Sequence, residues 1–221
     1  MSTLLVLLAC TLGSPADAAP GKDGKASAKT AVDPEKAPAD IPKAGPGQAV
    51  AVFAGGCFWC LESDFDKLEG VVHTTSGYAG GHVDNPTYAD VTSETSGHKE
   101  VVRVVYDTKT LTYDQVLDYF WHHIDPLDVG GQFCDRGDSY ESAVYTVDEA
   151  QKKAAFASKA ALDARKVLAG PIATPILPLD TFWAAENYHQ DFHDKSPGRY
   201  LSYRMGCGRD VRVAEVWANE K

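Results

Sequence analysis

Ala49-Val50-Ala51-Val52-Phe53-Ala54-Gly55-Gly56-Cys57-Phe58-Trp59-Cys60 decides the fold, because it sets a cysteine where a strand ends and a helix begins. The first six residues are small, β-branched or aromatic and read as a strand. Beyond the glycines, Leu61, Phe65 and Leu68 recur at helical spacing with acidic residues between them. Cys57 therefore stands near a helix N-terminus. There, unpaired N–H groups and the positive end of the helix dipole favour thiolate and lower a cysteine pKa from about 8.5 toward roughly 3.5–7.5. Such a sulfur is a nucleophile; the alternative is a small buried cysteine flanked by core aromatics.

Working outward, residues 71–78 are rich in β-branched side chains and stop at Gly80-Gly81, which predicts a second strand. A long polar loop, 81–97, follows, and loops of that length in a compact domain carry function more often than not. Residues 101–106 form the next strand with Glu100 at its start. Thr112 then opens a helix with Tyr113, Val116, Leu117 and Phe120 on one face. After a Gly- and Asp-rich stretch to Tyr140 come a short strand at 142–146, a helix at 149–168 behind the N-cap Asp148, and a strand at 174–179. Residues 182–203 are aromatic-rich and read as helix, followed by a coil carrying Cys207; Val211, Val213 and Trp217 are placed to wrap the core. The pattern predicts the α+β class: a two-layer sandwich with a mixed, mainly antiparallel sheet and flanking helices, a ferredoxin-like plait with a coil-rich C-terminal tail.

The 221 residues, 44% of them hydrophobic, suit one well-buried domain. A formal net charge of -10 offers no support for binding nucleic acid or an anionic membrane surface, which need clustered Lys and Arg. At the N-terminus, residues 4–12 are apolar and Ala16-Asp17-Ala18 before Ala19 resembles a signal-peptidase site. Residues 1–18 thus read as an export signal, although residues 1–3 lack Lys or Arg. Leu7-Leu8-Ala9-Cys10 also resembles a lipobox, in which a lipidated Cys10 would anchor the protein to a membrane. The expected location is periplasmic, or cytoplasmic if the segment is not a working signal. Residues 19–47, mostly Ala, Pro, Lys, Asp and Gly, read as a disordered linker, and the domain spans 48–221.

Setting Cys10 aside leaves Cys57, Cys60, Cys134 and Cys207, an even number compatible with disulfides. A zinc ribbon would need two close pairs, and only Cys57 and Cys60 are so spaced. A C-x-x-C opening a helix after a strand is also the layout of thioredoxin-like redox chemistry. His189, His193 and Glu186 suggest a metal trio, but helix packing explains them more simply, and no cofactor is expected.

Several segments together resemble the A-type peptide methionine sulfoxide reductase family. Gly56-Cys57-Phe58-Trp59 with Glu62 matches its G-C-F-W-x-x-E signature, and Gly77-Tyr78-Ala79-Gly80-Gly81 with Asn85-Pro86-Thr87-Tyr88 matches a second motif. Gly97-His98-Lys99-Glu100 and Ala184, Glu186, Tyr188, His189 and Gln190 extend the match over residues 49–208. The resemblance implies reduction of the S epimer of methionine sulfoxide, free or in peptides. It makes Cys57 the catalytic cysteine, and Phe58 and Trp59 the aromatics that hold the substrate methyl group. Glu100 becomes the acid beside the sulfoxide oxygen, Tyr88 and Tyr140 the phenols that hydrogen-bond it, and Asp135 a carboxylate near the substrate backbone.

Attack by Cys57 would form a sulfenic acid, resolved by a second thiol and then by an external dithiol of the thioredoxin kind. Cys207, flanked by Gly206 and Gly208, is the first choice for that thiol because many family members use a C-terminal cysteine and a flexible coil can bring it near. Cys60, one helical turn from Cys57, is the second. Cys134 reads as a buried or structural thiol. The rival functions are a thiol-disulfide oxidoreductase using Cys57 and Cys60, and an exported binding protein with an inert disulfide.

Overall fold

β1 (Gln48–Ala54) is the middle of the molecule, and both of its faces are covered, which is why the stretch reads as a continuous apolar run rather than an alternation. In a computed structural model that describes residues 33–220, it is followed by α1 (Phe58–Phe65), β2 (Val71–Ala79), α2 (Tyr88–Thr92), β3 (Lys99–Asp107) and α3 (Tyr113–Trp121). A small hairpin, β4 (Gly131–Gln132) and β5 (Asp135–Arg136), and a 3₁₀ turn at Asp138–Tyr140 lead into β6 (Ala143–Thr146) and α4 (Glu149–Arg165). The chain ends with β7 (Ile176–Pro178), β8 (Phe182–Ala184), α5 (Phe192–Lys195), α6 (Pro197–Cys207) and α7 (Arg209–Val216).

The main sheet runs β7-β6-β1-β3-β2-β8. Its central four strands pair antiparallel, and only β6 with β7 is parallel, so the sheet is mixed and mainly antiparallel as expected. Taking β6 as the fourth strand, the order 4-1-3-2 with crossover helices is the predicted plait. Ala51 and Phe53 face α1, α3 and α4 across the larger core, where Phe53 stacks on Phe65 and Phe120 at 5.4 and 4.6 Å. Val52 and Ala54 face the opposite side with Val101, Ala143 and Tyr145.

The expected coil after Tyr203 is instead two helices. Pro197 starts α6, where its missing N–H costs nothing, and Gly208 at φ +69° ends it in the left-handed conformation before α7 begins. Residues 182–184, expected as helix, pair with β2 as a sheet edge. Residues 33–47 form no helix or strand, yet Asn187 and Tyr188 donate main-chain hydrogen bonds to Lys36 and Pro34 carbonyls at 2.8 and 3.2 Å, and Arg103 reaches the Pro42 carbonyl at 2.8 Å. The export segment and Cys10 lie outside the described residues. Within them, no helix is long and apolar enough to cross a membrane.

The acidic residues of α1 look solvent-facing in the sequence but are buried, because α6 and α7 pack over that helix. Asp64 pairs with Arg204 at 2.8 Å and lies 3.6 Å from Arg209. Glu62 accepts the Asp191 N–H at 2.9 Å and has no cation against it. Burial, reinforced by the Asp66 and Asp191 charges, pushes Glu62 up to about 8. The folded chain therefore keeps a proton that the unfolded chain releases above its ordinary carboxylate value. Stability from this group is complete below pH ~4.5 and is lost as pH rises toward 8. Thermal unfolding should find Glu62→Gln unchanged at pH 4.5 but raised by at least about 3 °C over the parent at pH 8, the shift that roughly 1 kcal/mol produces in a domain of this size. Equal shifts at both pH values would contradict this.

Candidate active site

The turn from β1 into α1 can be made only with glycine at Gly56: its φ is +77°, and a Cβ there would lie 2.6 Å from the Cβ of Gln132. Gln132 is immobile, since its amide group both accepts the Asp125 N–H and donates to the Asp125 carbonyl at 2.8 Å. The buried Arg209 of α7 adds a hydrogen bond to the Gly55 carbonyl at 3.0 Å. Cys57 is thereby set as the N-cap of α1, its carbonyl accepting from the Cys60 and Leu61 N–H groups.

Glu100 completes the cap. The N–H of Phe58, one of the donors a helix start leaves unpaired, donates to Glu100 Oε2 at 2.9 Å. With 2% of its surface exposed, Glu100 is not the solvated strand-end carboxylate that its position alone would suggest, and burial holds it well above the usual carboxylate range. Its proton is therefore held more tightly than that of an ordinary carboxylic acid.

The two phenols arrive from separate loops. Tyr88 begins α2 behind a capping box in which Thr87 and Asp90 bond each other's main chain, and its N–H donates to Glu186 Oε1 at 2.8 Å. Glu186 Oε2 accepts from the Tyr78 hydroxyl at 2.8 Å, which ties α2 to the sheet. Tyr140 closes the 3₁₀ turn, fixed by Ser139, whose N–H and hydroxyl both donate to Glu94 at 3.0 and 2.6 Å. Burial, first among the causes, raises both Tyr88 and Tyr140 above the ordinary phenol value, so both remain donors.

Phe58 is buried against His189 and Tyr78, while Trp59 stacks on Phe192 at 3.7 Å and gives its indole N–H to His189 Nδ1 at 3.0 Å. Burial lowers His189 to about 3, leaving a neutral ring that serves as acceptor and packing surface. These side chains enclose a cleft of about 160 Å3, lined by Cys57, Phe58 and Trp59 of the β1–α1 junction together with Tyr88, Glu100, Asp135, Tyr140 and Tyr203. A thiol, an apolar wall, two phenol donors and a buried carboxyl of raised proton affinity in one small space suit a substrate with a methyl group and a strong acceptor oxygen. A larger hollow of about 520 Å3, between residues 34–42 and β2, contains no thiol.

The peptide methionine sulfoxide reductase family matches residues 49–221. The chain belongs to this family. Peptide methionine sulfoxide reductase MsrA 2 of Caulobacter vibrioides is 51% identical over 174 residues, spanning 79% of this chain and 88% of that protein. The MsrA of Bacillus subtilis is 46% identical over 168 residues, spanning 76% and 95%. Among solved structures, reduced Mxr1 from Saccharomyces cerevisiae superposes with a TM-score of 0.66 at 29% identity, covering 71% of this chain and 90% of that one. Methionine sulfoxide reductase A of Corynebacterium diphtheriae gives 0.62 at 32%, covering 69% and 77%. The protein is thus an A-type reductase, an oxidoreductase acting on methionine sulfoxide.

The thiols of the reductase differ from the sequence expectation in two ways. Cys207, expected to approach Cys57 on a flexible coil, is bonded to Cys134. Cys134, expected to be a buried or structural thiol, is not buried but exposed on the β4–β5 turn, where it is joined to Cys207 at the end of α6. Among the described residues, the free thiols are Cys57 and Cys60, both buried. Second, Cys57 is not an ionised resting nucleophile. Burial, the hydrogen bond with Cys60 and the Glu100 carboxyl push it well above the usual thiol value, outweighing its place at a helix start. Cys60 moves down, chiefly through the same hydrogen bond and also through Arg209 and Arg204.

The cleft gathers Cys57, Phe58, Trp59, Tyr88, Glu100, Asp135 and Tyr140; Cys60 and Cys207 lie outside its lining. Tyr203 was not anticipated. It sits four residues before Cys207 on α6, bonds Asp135 through its hydroxyl and presents its edge to Trp59 at 5.9 Å. Only the aromatic richness of its segment could have drawn notice. The suspected metal trio does not converge: His193 faces Asp66 at 3.4 Å, whereas His189 serves Trp59. Among the described residues, the cluster with metal-like spacing is Cys134, Asp135 and Cys207, whose two sulfurs are joined to each other.

Proposed function

We propose that the reductase acts on the S epimer of methionine sulfoxide, free or in peptides, through a sulfenic acid on Cys57 that Cys60 resolves. The observation that carries this reading is the cleft itself, in which one thiol shares a small space with a buried carboxyl group of raised proton affinity and two phenols. Cys57 sulfur attacks the sulfoxide sulfur while Glu100 protonates the oxygen; Tyr88 and Tyr140 donate hydrogen bonds to it. Net, Cys57–SH and sulfoxide become Cys57–SOH and thioether, the oxygen moving to the enzyme with one proton. Cys60 thiol then displaces hydroxide, released as water, and a disulfide remains for an external thioredoxin-type dithiol to reduce. Cys60 takes precedence over Cys207 because it is a free thiol one helical turn from Cys57, whereas Cys207 is bonded to Cys134. Epimer choice follows from the methyl group meeting Phe58 and Trp59 while oxygen meets the donors; the mirror arrangement exchanges them.

Incubation with one equivalent of L-methionine S-sulfoxide, without reductant, should yield methionine and a Cys57–Cys60 disulfide on peptide mapping. A Cys57–Cys207 link would reject Cys60 as the resolving thiol, and equal consumption of the R epimer would reject the pocket assignment. Export is proposed on residues 1–18 alone; a cell-fractionation experiment with mass measurement of the mature N-terminus tests it, and an intact leader in the cytoplasm would refute it.

A further inference from the structure

Residues 33–36 lie ahead of the stretch that the family matches, which starts at residue 49, yet they are bonded to the turn that carries His189. Asp33-Pro34-Glu35-Lys36 builds a turn from its own sequence. Pro34 fixes φ at the second position, Asp33 Oδ1 accepts the Glu35 N–H at 3.1 Å, and the Asp33 carbonyl accepts the Lys36 N–H at 3.4 Å. Three carbonyls of this turn serve Asn187 and Tyr188. The Asn187 side-chain amide donates to Asp33 and Lys36 at 2.8 and 2.6 Å, its main-chain N–H to Lys36 at 2.8 Å, and the Tyr188 N–H to Pro34 at 3.2 Å. We propose that the 33–36 turn is a positioning element of the active site, acting through Asn187 to keep His189 bonded to Trp59 and so to hold the wall that receives the substrate methyl group. That wall is the one assigned above, so this positioning role rests on the preceding reading.

Asn187 stands between residues that already have duties in the cleft. Before it, Glu186 accepts from the Tyr88 N–H and the Tyr78 hydroxyl. After it, Tyr188 stacks on His189 at 3.9 Å, and His189 accepts the Trp59 indole N–H at 3.0 Å with its ring 4.7 Å from that of Phe58. Gln190 fixes the sheet side of this turn, its side-chain amide bonding both the N–H and the carbonyl of Ser76. Lys195 reaches the Asn187 and Gln190 carbonyls, whereas the N–H groups of residues 187 and 188 go to the 33–36 turn. Asn187 suits its place because Nδ2 carries two hydrogens and meets two carbonyl oxygens; a carboxylate of the same shape carries none. Beyond residue 36 the chain bridges the hollow of about 520 Å3 until Arg103 takes the Pro42 carbonyl at 2.8 Å. Hydrogen bonds at the two ends, more than packing between them, therefore carry the attachment.

Asn187→Asp, made in the full chain, puts a charge against two carbonyl oxygens without altering size. KM for L-methionine S-sulfoxide should rise about fivefold to tenfold while kcat stays within about twofold, because Cys57 and Glu100 are carried by the β1–α1 junction and β3 rather than by this turn. Loss of folded protein would instead lower kcat and leave KM alone. Pro34→Gly frees the 33–36 turn without removing an acceptor and should raise KM about threefold. The double variant should be no worse than Asn187→Asp, since both act through one contact. In substrate-free enzyme, the Trp59 indole N–H should exchange with solvent about tenfold faster in Asn187→Asp, with the amides of β1 and β3 unchanged.

An unchanged KM in Asn187→Asp, a loss confined to kcat, single-variant effects that multiply in the double variant, or an indole exchange rate equal to the parent's would each overturn the positioning role. If Asn187→Asp fails to fold, the KM and the Trp59 exchange of Pro34→Gly decide. Because indole exchange needs no sulfoxide, a faster rate in a chain that never reduces sulfoxide would uphold the link from the 33–36 turn to Trp59 and count against the function proposed above.

Discussion

Cys57→Ser is expected to abolish methionine formation to below detection, with the melting temperature within a few degrees of the parent. The serine hydroxyl fits the N-cap position, and Ser is a better cap than Cys, so the β1–α1 turn has no reason to open. What is lost is the only thiol in the cleft. A hydroxyl is both less acidic and far less nucleophilic toward sulfur than a thiol, and neighbouring donors do not supply the missing electron pair. Glu100, Tyr88 and Tyr140 would still bind the oxygen, so substrate should protect the variant against unfolding. Detectable turnover in the variant would move the nucleophile elsewhere, with Cys60 the first candidate.

Glu100→Gln is expected to lower kcat by roughly 10²–10³, in the range associated with losing a general acid that also stabilises an oxyanion. The amide oxygen can still accept the Phe58 N–H that Glu100 Oε2 accepts at 2.9 Å, so α1 keeps its cap and Cys57 its place. The sign of the pH effect follows from burial. Burial holds Glu100 well above the usual carboxylate range, so its proton is lost later in the titration than an ordinary carboxyl's, and parent activity should decline on the alkaline side as that proton goes. Glu100→Gln has no proton to lose there, and a pH–rate profile should show that limb gone. A retained limb would assign it to another group, such as Cys60.

Much of this site was legible because its residues sit at chain features with local causes. Gly55-Gly56 between an apolar run and a helical period announces the β–α turn, and Gly56 is required by a positive φ that only its neighbour Gln132 makes visible. Thr87 and Asp90 form a cap readable from spacing, which places Tyr88. The tail was misread because Gly206 and Gly208 look like coil. In fact Gly206 is accommodated inside α6, and Gly208 ends that helix while Arg204 and Arg209 anchor the segment on Asp64. The disulfide partner of Cys207 was beyond reach for a simpler reason. Four cysteines allow three pairings, and choosing among them needs distances.

Composition and order in the chain alone determined the α+β architecture and the strand–glycine–cysteine–helix junction, which are consequences of local periodicity and backbone freedom that each short segment carries by itself. The set of side chains able to bind a sulfoxide came instead from the resemblance of several segments to the family's motifs. Burial was decided only by tertiary structure. It raised the proton affinity of Glu100 and Cys57, made Glu62 a proton holder, joined Cys134 to Cys207, and bonded Tyr203 to Asp135 in the lining of the cleft. Proton affinity depends on the dielectric and the charges supplied by residues far away in sequence, and no local pattern encodes them.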